Sequence, residues 1–159
     1  MRKVILFLVI FSFPTILWAA DPIIGTWKLN VEKSKGTEGM DSPAKEITYV
    51  YRETDSGLIE IKTRRVFMNG TSDFDVLTFP AQGGVALSKD MPEGISFFEI
   101  YLGPGEWCGI YIQEGKQIVT RHKVVSDDGK ILTETLRFID EDGDDGGGLV
   151  EIIQVFERQ

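Results

Sequence analysis

The sequence predicts an all-β fold, an antiparallel up-and-down meander closed into a barrel of 8 to 10 strands. Stretches of alternating residues rich in Val, Ile, Thr, Tyr and Phe recur along the chain, separated by clusters of Gly, Asp, Asn and Pro. No helical period competes over any long window. About ten strands in 159 residues leave bare edges if the sheet stays open, and closing it removes them.

The elements follow in order. Arg2 and Lys3 precede an apolar stretch, Val4 to Leu17, and Trp18, Ala19 and Ala20 lead into Asp21 and Pro22, the order of a cleavable secretion signal over residues 1 to 20. About 14 residues interrupted by Ser12, Pro14 and Thr15 fall short of the roughly 20 that a spanning helix needs, so no stable membrane insertion is expected. Cleavage after Ala19 or Ala20 leaves one domain, 21 to 159, in the periplasm or secreted. Strands are expected at Gly25 to Asn30, Glu46 to Glu53, Leu58 to Met68, Thr71 to Phe79 and Val85 to Ser88. Ile95 to Leu102, Glu106 to Gln113, Lys116 to Val125, Ile131 to Ile139 and Leu149 to Arg158 complete the set. Asp55-Ser56-Gly57, Asn69-Gly70 and Asp128-Gly129 place turn residues between apolar runs, so sequence neighbours should pair. The polar, Gly-containing run Glu32 to Ser42 reads as a connection with at most one helical turn.

Composition excludes several functions. Losing Arg2 and Lys3 takes the net charge from −8 to −10, which repels phosphate backbones and anionic lipid heads, so nucleic acid is not an expected partner. Cys108 is the single cysteine, so no internal disulfide can form. Alternating with Ile110 and Ile112, it reads as an inert buried thiol.

Gly25-Thr26-Trp27-Lys28-Leu29-Asn30, followed by Lys33-Ser34-Lys35, resembles the opening of small bacterial exported lipocalin-like proteins, and Gly-x-Trp marks the wider calycin group. The resemblance implies a lipocalin-like barrel in which Trp27 closes the floor and Arg158, in Val155-Phe156-Glu157-Arg158, lies over its ring. Gly25, Trp27 and Arg158 form this structural signature. A guanidinium over an indole gains about 0.5 to 2 kcal/mol. The closing strand also resembles that of the intracellular fatty-acid-binding proteins. There an Arg and a Tyr hold the ligand carboxylate; the matching Gln154 and Phe156 supply neither cation nor phenol.

A closed barrel of this size is either filled by side chains or holds one small ligand. Tyr49 and Tyr51 share a strand face, Phe67 shares one with Ile59 and Ile61, and Trp107 shares one with Tyr111. These aromatics either form ordinary core or line a cavity for a small, partly apolar ligand oriented by His122 or Gln154. His122 is expected inward, on the face of Ile118, Thr120 and Val124. Phe97 to Leu102 is apolar on both faces, so it is buried on two sides or leaves one face open to a protein partner. With a filled barrel, that strand or the acidic loop would be the contact surface of a structural or protein-binding module.

Asp140, Asp142, Asp144 and Glu151 follow a calcium-loop spacing, but Asp145 replaces the turn glycine and the flanks read as strands, which leaves a solvated hairpin loop as the simpler account. No Gly-x-Ser-x-Gly, His-Glu-x-x-His or phosphate loop occurs, and no acid and base pair can be named. No cofactor and no metal are therefore expected, and whether the barrel performs chemistry is left open.

Overall fold

The computed structural model describes residues 20–36, 44–88, 91–139 and 150–159. The expected signal, apart from Ala20, and the acidic run Asp140 to Asp145 lie outside the described residues. The strands are β1 Gly25–Leu29, β2 Lys35–Gly36, β3 Ala44–Glu53, β4 Leu58–Phe67, β5 Ser72–Pro80 and β6 Gly83–Ala86. They continue as β7 Ile95–Gly103, β8 Glu106–Gln113, β9 Lys116–Val125, β10 Ile131–Phe138 and β11 Val150–Arg158. Among the described residues there is no α-helix; Val31–Lys33 make a single 3-10 turn, capped by the Asn30 side chain.

The sheet order is β5-β4-β3-β1-β11-β10-β9-β8-β7-β6, with the short β2 beside β11. Thr78 and Leu87 exchange two backbone hydrogen bonds, at 2.9 and 2.8 Å, across the remaining seam, so the meander closes as expected. At the tip of the β4–β5 hairpin the Asn69 side chain accepts from the Thr71 N–H at 2.9 Å. Gly70, at φ +83°, donates its N–H to the Phe67 carbonyl at 2.9 Å, so the one left-handed position of the turn falls on glycine.

The chain ends meet where the sequence places them. Trp27 pairs with Arg158 across β1 and β11, and the guanidinium lies 4.3 Å from the centre of the indole ring. Arg158 also donates to the carbonyls of Gly129 at 2.6 Å, Ile24 at 2.8 Å and Pro22. Gly25 has φ +145°, and a Cβ there would stand 2.6 Å from Arg158 Nη1, so this approach requires glycine.

Side chains fill the half of the barrel nearest that seal. Ile23, Trp27, Tyr51, Phe79, Trp107, Leu132 and Phe156 are fully buried there or nearly so. Phe79 and Tyr101 meet Trp107 edge to face, with centroids 5.3 and 4.9 Å apart. Further along, the Phe97 ring stacks on Tyr111 at 4.1 Å, in space that exists because β8 carries Gly109. A Cβ at Gly109 would stand 2.7 Å from the Phe97 ring. Gly109→Ala should therefore lower stability by about 1 to 3 kcal/mol through overpacking, measured by urea denaturation; an unchanged midpoint would show that the ring shifts freely.

Facing departs from expectation at Cys108 and His122, and β7 takes the second of its two expected arrangements. The β7 strand, read as either buried on two sides or open on one, is buried on one: Phe97 and Glu99 point inward, while Ile100 (41% exposed) and Leu102 (54%) face outward beside Val85 on β6. No second layer covers that outer face among the described residues. Cys108 shares this outer side and is half-buried, and desolvation raises its thiol pKa. His122 is likewise outside, as a bulge in β9 dictates.

Candidate functional site

Ile112 of β8 pairs with Gln117, whereas Tyr111 pairs with Val119, so Ile118 is the extra residue of a β-bulge. A one-residue slip exchanges the two faces of a strand. Ile118 and Val119 both reach the interior, and beyond them Arg121, Lys123 and Val125 point inward. His122 points outward with its side chain 42% exposed, and its Nε2 lies 2.9 Å from Glu106. The inward histidine expected from simple alternation is thus replaced by two inward cations.

Both cations are paired in the interior. Arg121 donates from Nε to Glu134 Oε1 on β10 at 2.8 Å and from Nη2 to the same oxygen at 2.5 Å. Tyr49 donates its hydroxyl proton to the second Glu134 oxygen at 2.9 Å, and Arg121 Nη1 donates to the Tyr111 hydroxyl at 2.9 Å. Deeper in the barrel, Lys123 donates to Glu99 on β7. Paired and bonded in this way, charges can occupy a barrel interior.

The electrostatics follow from competition between burial and pairing. Burial would raise the Glu134 pKa, but the charges of Arg121 and Lys123, with hydrogen bonds from Arg121 and Tyr49, outweigh it and hold the carboxyl below its ordinary range. For Arg121, burial acts downward and Glu134 outweighs it, so the guanidinium stays charged. Desolvation dominates for Lys123 and sets it below the usual lysine value. Burial, reinforced by Glu134, raises the Tyr49 phenol, which stays protonated and remains a donor.

Above the Arg121–Glu134 pair the barrel is hollow. A cavity of about 290 Å³ is walled by Ala44, Ile47, Phe67, Leu136 and Ile152, with Tyr49, Tyr111, Arg121 and Glu134 as its polar part. At the rim, Arg65 Nη1 lies 3.2 Å from both carboxylate oxygens of Asp73.

Of the residues the sequence nominates, Tyr49, Phe67, Tyr111 and Gln154 line this cavity. Tyr51 and Trp107 sit in the filled half, where the Tyr51 hydroxyl and the Trp107 indole N–H have no hydrogen-bond partner among the described residues. Sequence reasoning missed Arg121, Glu134, Arg65 and Leu136. Glu99 between inward Phe97 and Tyr101, and Glu134 between Leu132 and Leu136, were the available signal, because an acid on an apolar strand face requires a cation opposite it. Among the described residues no group of three His, Cys, Asp or Glu side chains is placed to hold a metal ion. No helix there is long and apolar enough to cross a membrane.

A ten-strand antiparallel meander, sealed by Trp27 and Arg158 at one end and hollow at the other, makes an up-and-down β-barrel with room for a small ligand. The structure is similar to that of the wild-type fluorescent protein UnaG, at 16% sequence identity and a TM-score of 0.56, over 86% of this chain and 97% of that chain. A point mutant of UnaG matches at 15% identity and 0.56, over 87% and 96% of the two chains. At these identities the likeness is one of fold. No protein-family model and no curated protein matches the sequence.

Proposed function

We propose that this chain is an exported, lipocalin-like binding protein that holds a small, partly apolar molecule in the cavity above Arg121 and Glu134. The observation that carries the reading is the half-filled interior: apolar walls around a few convergent polar groups, at about 290 Å³. That volume is near the lower end of ligand sites, roughly 300 to 1,000 Å³. A ligand burying about 400 Å² of apolar surface gains about 10 kcal/mol, association removes at least about 4, and the remainder of at most about 6 corresponds to affinity from roughly tens of micromolar down to millimolar. The residues proposed to touch the ligand are Tyr49, Phe67, Tyr111 and Gln154, joined by Leu136 and Arg121.

Titration with the neutral apolar dye N-phenyl-1-naphthylamine should show saturable one-site fluorescence enhancement. Leu136→Trp, which fills the cavity from its wall, should weaken it at least tenfold while the protein still melts cooperatively. Wild-type protein without saturable binding would refute the reading. Export is supported by the order of residues 1 to 20, and the mass of the mature chain tests it. A chain starting at Ala20 or Asp21 is expected, and an intact Met1 start in protein from the native cell would refute it.

The outward strip of Val85, Ile100 and Leu102 favours a second reading, a protein-binding face on the barrel wall. Replacing Ile100 and Leu102 with Ser should leave dye binding unchanged if the cavity is the working site.

A further inference from the structure

The charge that the cavity tolerates can be read from its floor, and the inference rests on the cavity reading above. Arg121 is the buried cation of the lining, and its carboxylate partner is built into the barrel. Nε and Nη2 both point at Glu134 Oε1, and Nη1 points at the Tyr111 hydroxyl. The other Glu134 oxygen is taken by Tyr49. At the rim the second lining cation, Arg65, faces Asp73. These two cations and two carboxylates sum to zero, so the cavity offers an entering anion no unmatched positive charge. A ligand carboxylate at the floor would instead lie beside buried Glu134, where like charges repel strongly for want of solvent screening.

Neutral acceptors are treated differently. Three of the five Arg121 N–H groups are engaged by Glu134 and Tyr111, which leaves two uncommitted. The Tyr111 hydroxyl accepts from Arg121, and its own proton has no acceptor among the described residues. The Tyr111 ring is held by its stack on Phe97, so this donor has a defined position at the cavity wall. A carbonyl oxygen placed there would receive a phenol O–H and a guanidinium N–H, while the attached hydrocarbon lies against Ile47, Phe67, Leu136 and Ile152.

We propose that the cavity selects uncharged apolar molecules bearing a carbonyl acceptor, such as ketones, esters or amides, and that Glu134 excludes free carboxylates by already occupying Arg121. Glu134 is thus a specificity residue.

Displacement of bound N-phenyl-1-naphthylamine at pH 7.5 tests this with probes of matched length: octanoate, methyl octanoate and 2-nonanone. The ester and the ketone should compete at least tenfold more strongly than octanoate. A lower affinity of the acid could arise from desolvation alone, so Glu134→Gln is the deciding variant. With the internal carboxylate gone, the affinity of octanoate relative to the ester should rise at least tenfold. A second variant, Tyr111→Phe, should lower the affinity of 2-nonanone relative to naphthalene at least threefold, and it applies even if Glu134→Gln fails to fold. Octanoate competing as well as the ester in the wild type would overturn the inference while leaving the cavity reading intact. An unchanged acid-to-ester ratio in folded Glu134→Gln, or an unchanged ketone-to-naphthalene ratio in Tyr111→Phe, would overturn it equally. Failure of the dye itself to bind would remove the cavity reading, and this inference with it.

Discussion

Replacing Arg121 with Met is expected to lower the stability of the barrel by about 3 to 5 kcal/mol, because it strands the Glu134 carboxylate in the interior. Glu134 is fully buried, and Arg121 supplies its shortest hydrogen bonds; Tyr49 and the more distant Lys123 offset only part of the loss. The double variant Arg121→Met, Glu134→Leu should recover most of it, since an apolar pair of similar volume leaves no uncompensated charge. The pH dependence has a definite sign. In the wild type Glu134 has a folded pKa below its unfolded value, so its contribution is present above the usual carboxylate range and is lost as pH falls through the folded value. In Arg121→Met the stranded carboxyl is raised, so protonation relieves the variant. The gap between the two proteins should therefore narrow from pH 7 towards pH 4, as measured by urea midpoints. A gap that widened on acidification would contradict the pairing.

Trp27→Ala is expected to be comparably severe, at about 3 to 5 kcal/mol for deleting a fully buried indole. The ring does more than fill volume. Its N–H donates to the Ile23 carbonyl at 2.7 Å, which fixes the segment that plugs the closed end, and its face receives Arg158. Arg158→Ala alone should cost less, because the Ile24, Gly129 and Pro22 carbonyls it serves are solvent-accessible and water can replace it. The two substitutions should be non-additive by about 0.5 to 2 kcal/mol, the range of a cation–π contact. Strict additivity in the double-mutant cycle would mean that the ring and the guanidinium stabilise the barrel independently.

The fold was legible because its determinants are local. Asn69-Gly70 and Asp128-Gly129 make the expected hairpins, and each run of β-branched and aromatic residues between them became a strand. The Trp27–Arg158 contact is long-range, yet it was legible from a two-ended resemblance. What alternation could not reveal was which face of β9 turns inward. The bulge at Ile118 changes the parity of every residue after it, and the inward face then carries charges that hydrophobicity places outside. Their partners were the missing information: Arg121 is tolerated because Glu134 stands on the next strand, and Lys123 because of Glu99 across β8. For β7 two arrangements stayed open, since apolar residues on both faces do not say whether a second layer exists.

We infer that the working site is the hollow half of the barrel. A backbone-amide NMR titration of the intact folded protein with N-phenyl-1-naphthylamine tests it most directly. The predicted result is saturable shift changes concentrated at Ile47, Phe67, Val119, Leu136 and Ile152. Changes concentrated instead at Val85, Ile100, Leu102 and Ile112 on the outer wall, or none that saturate, would contradict it.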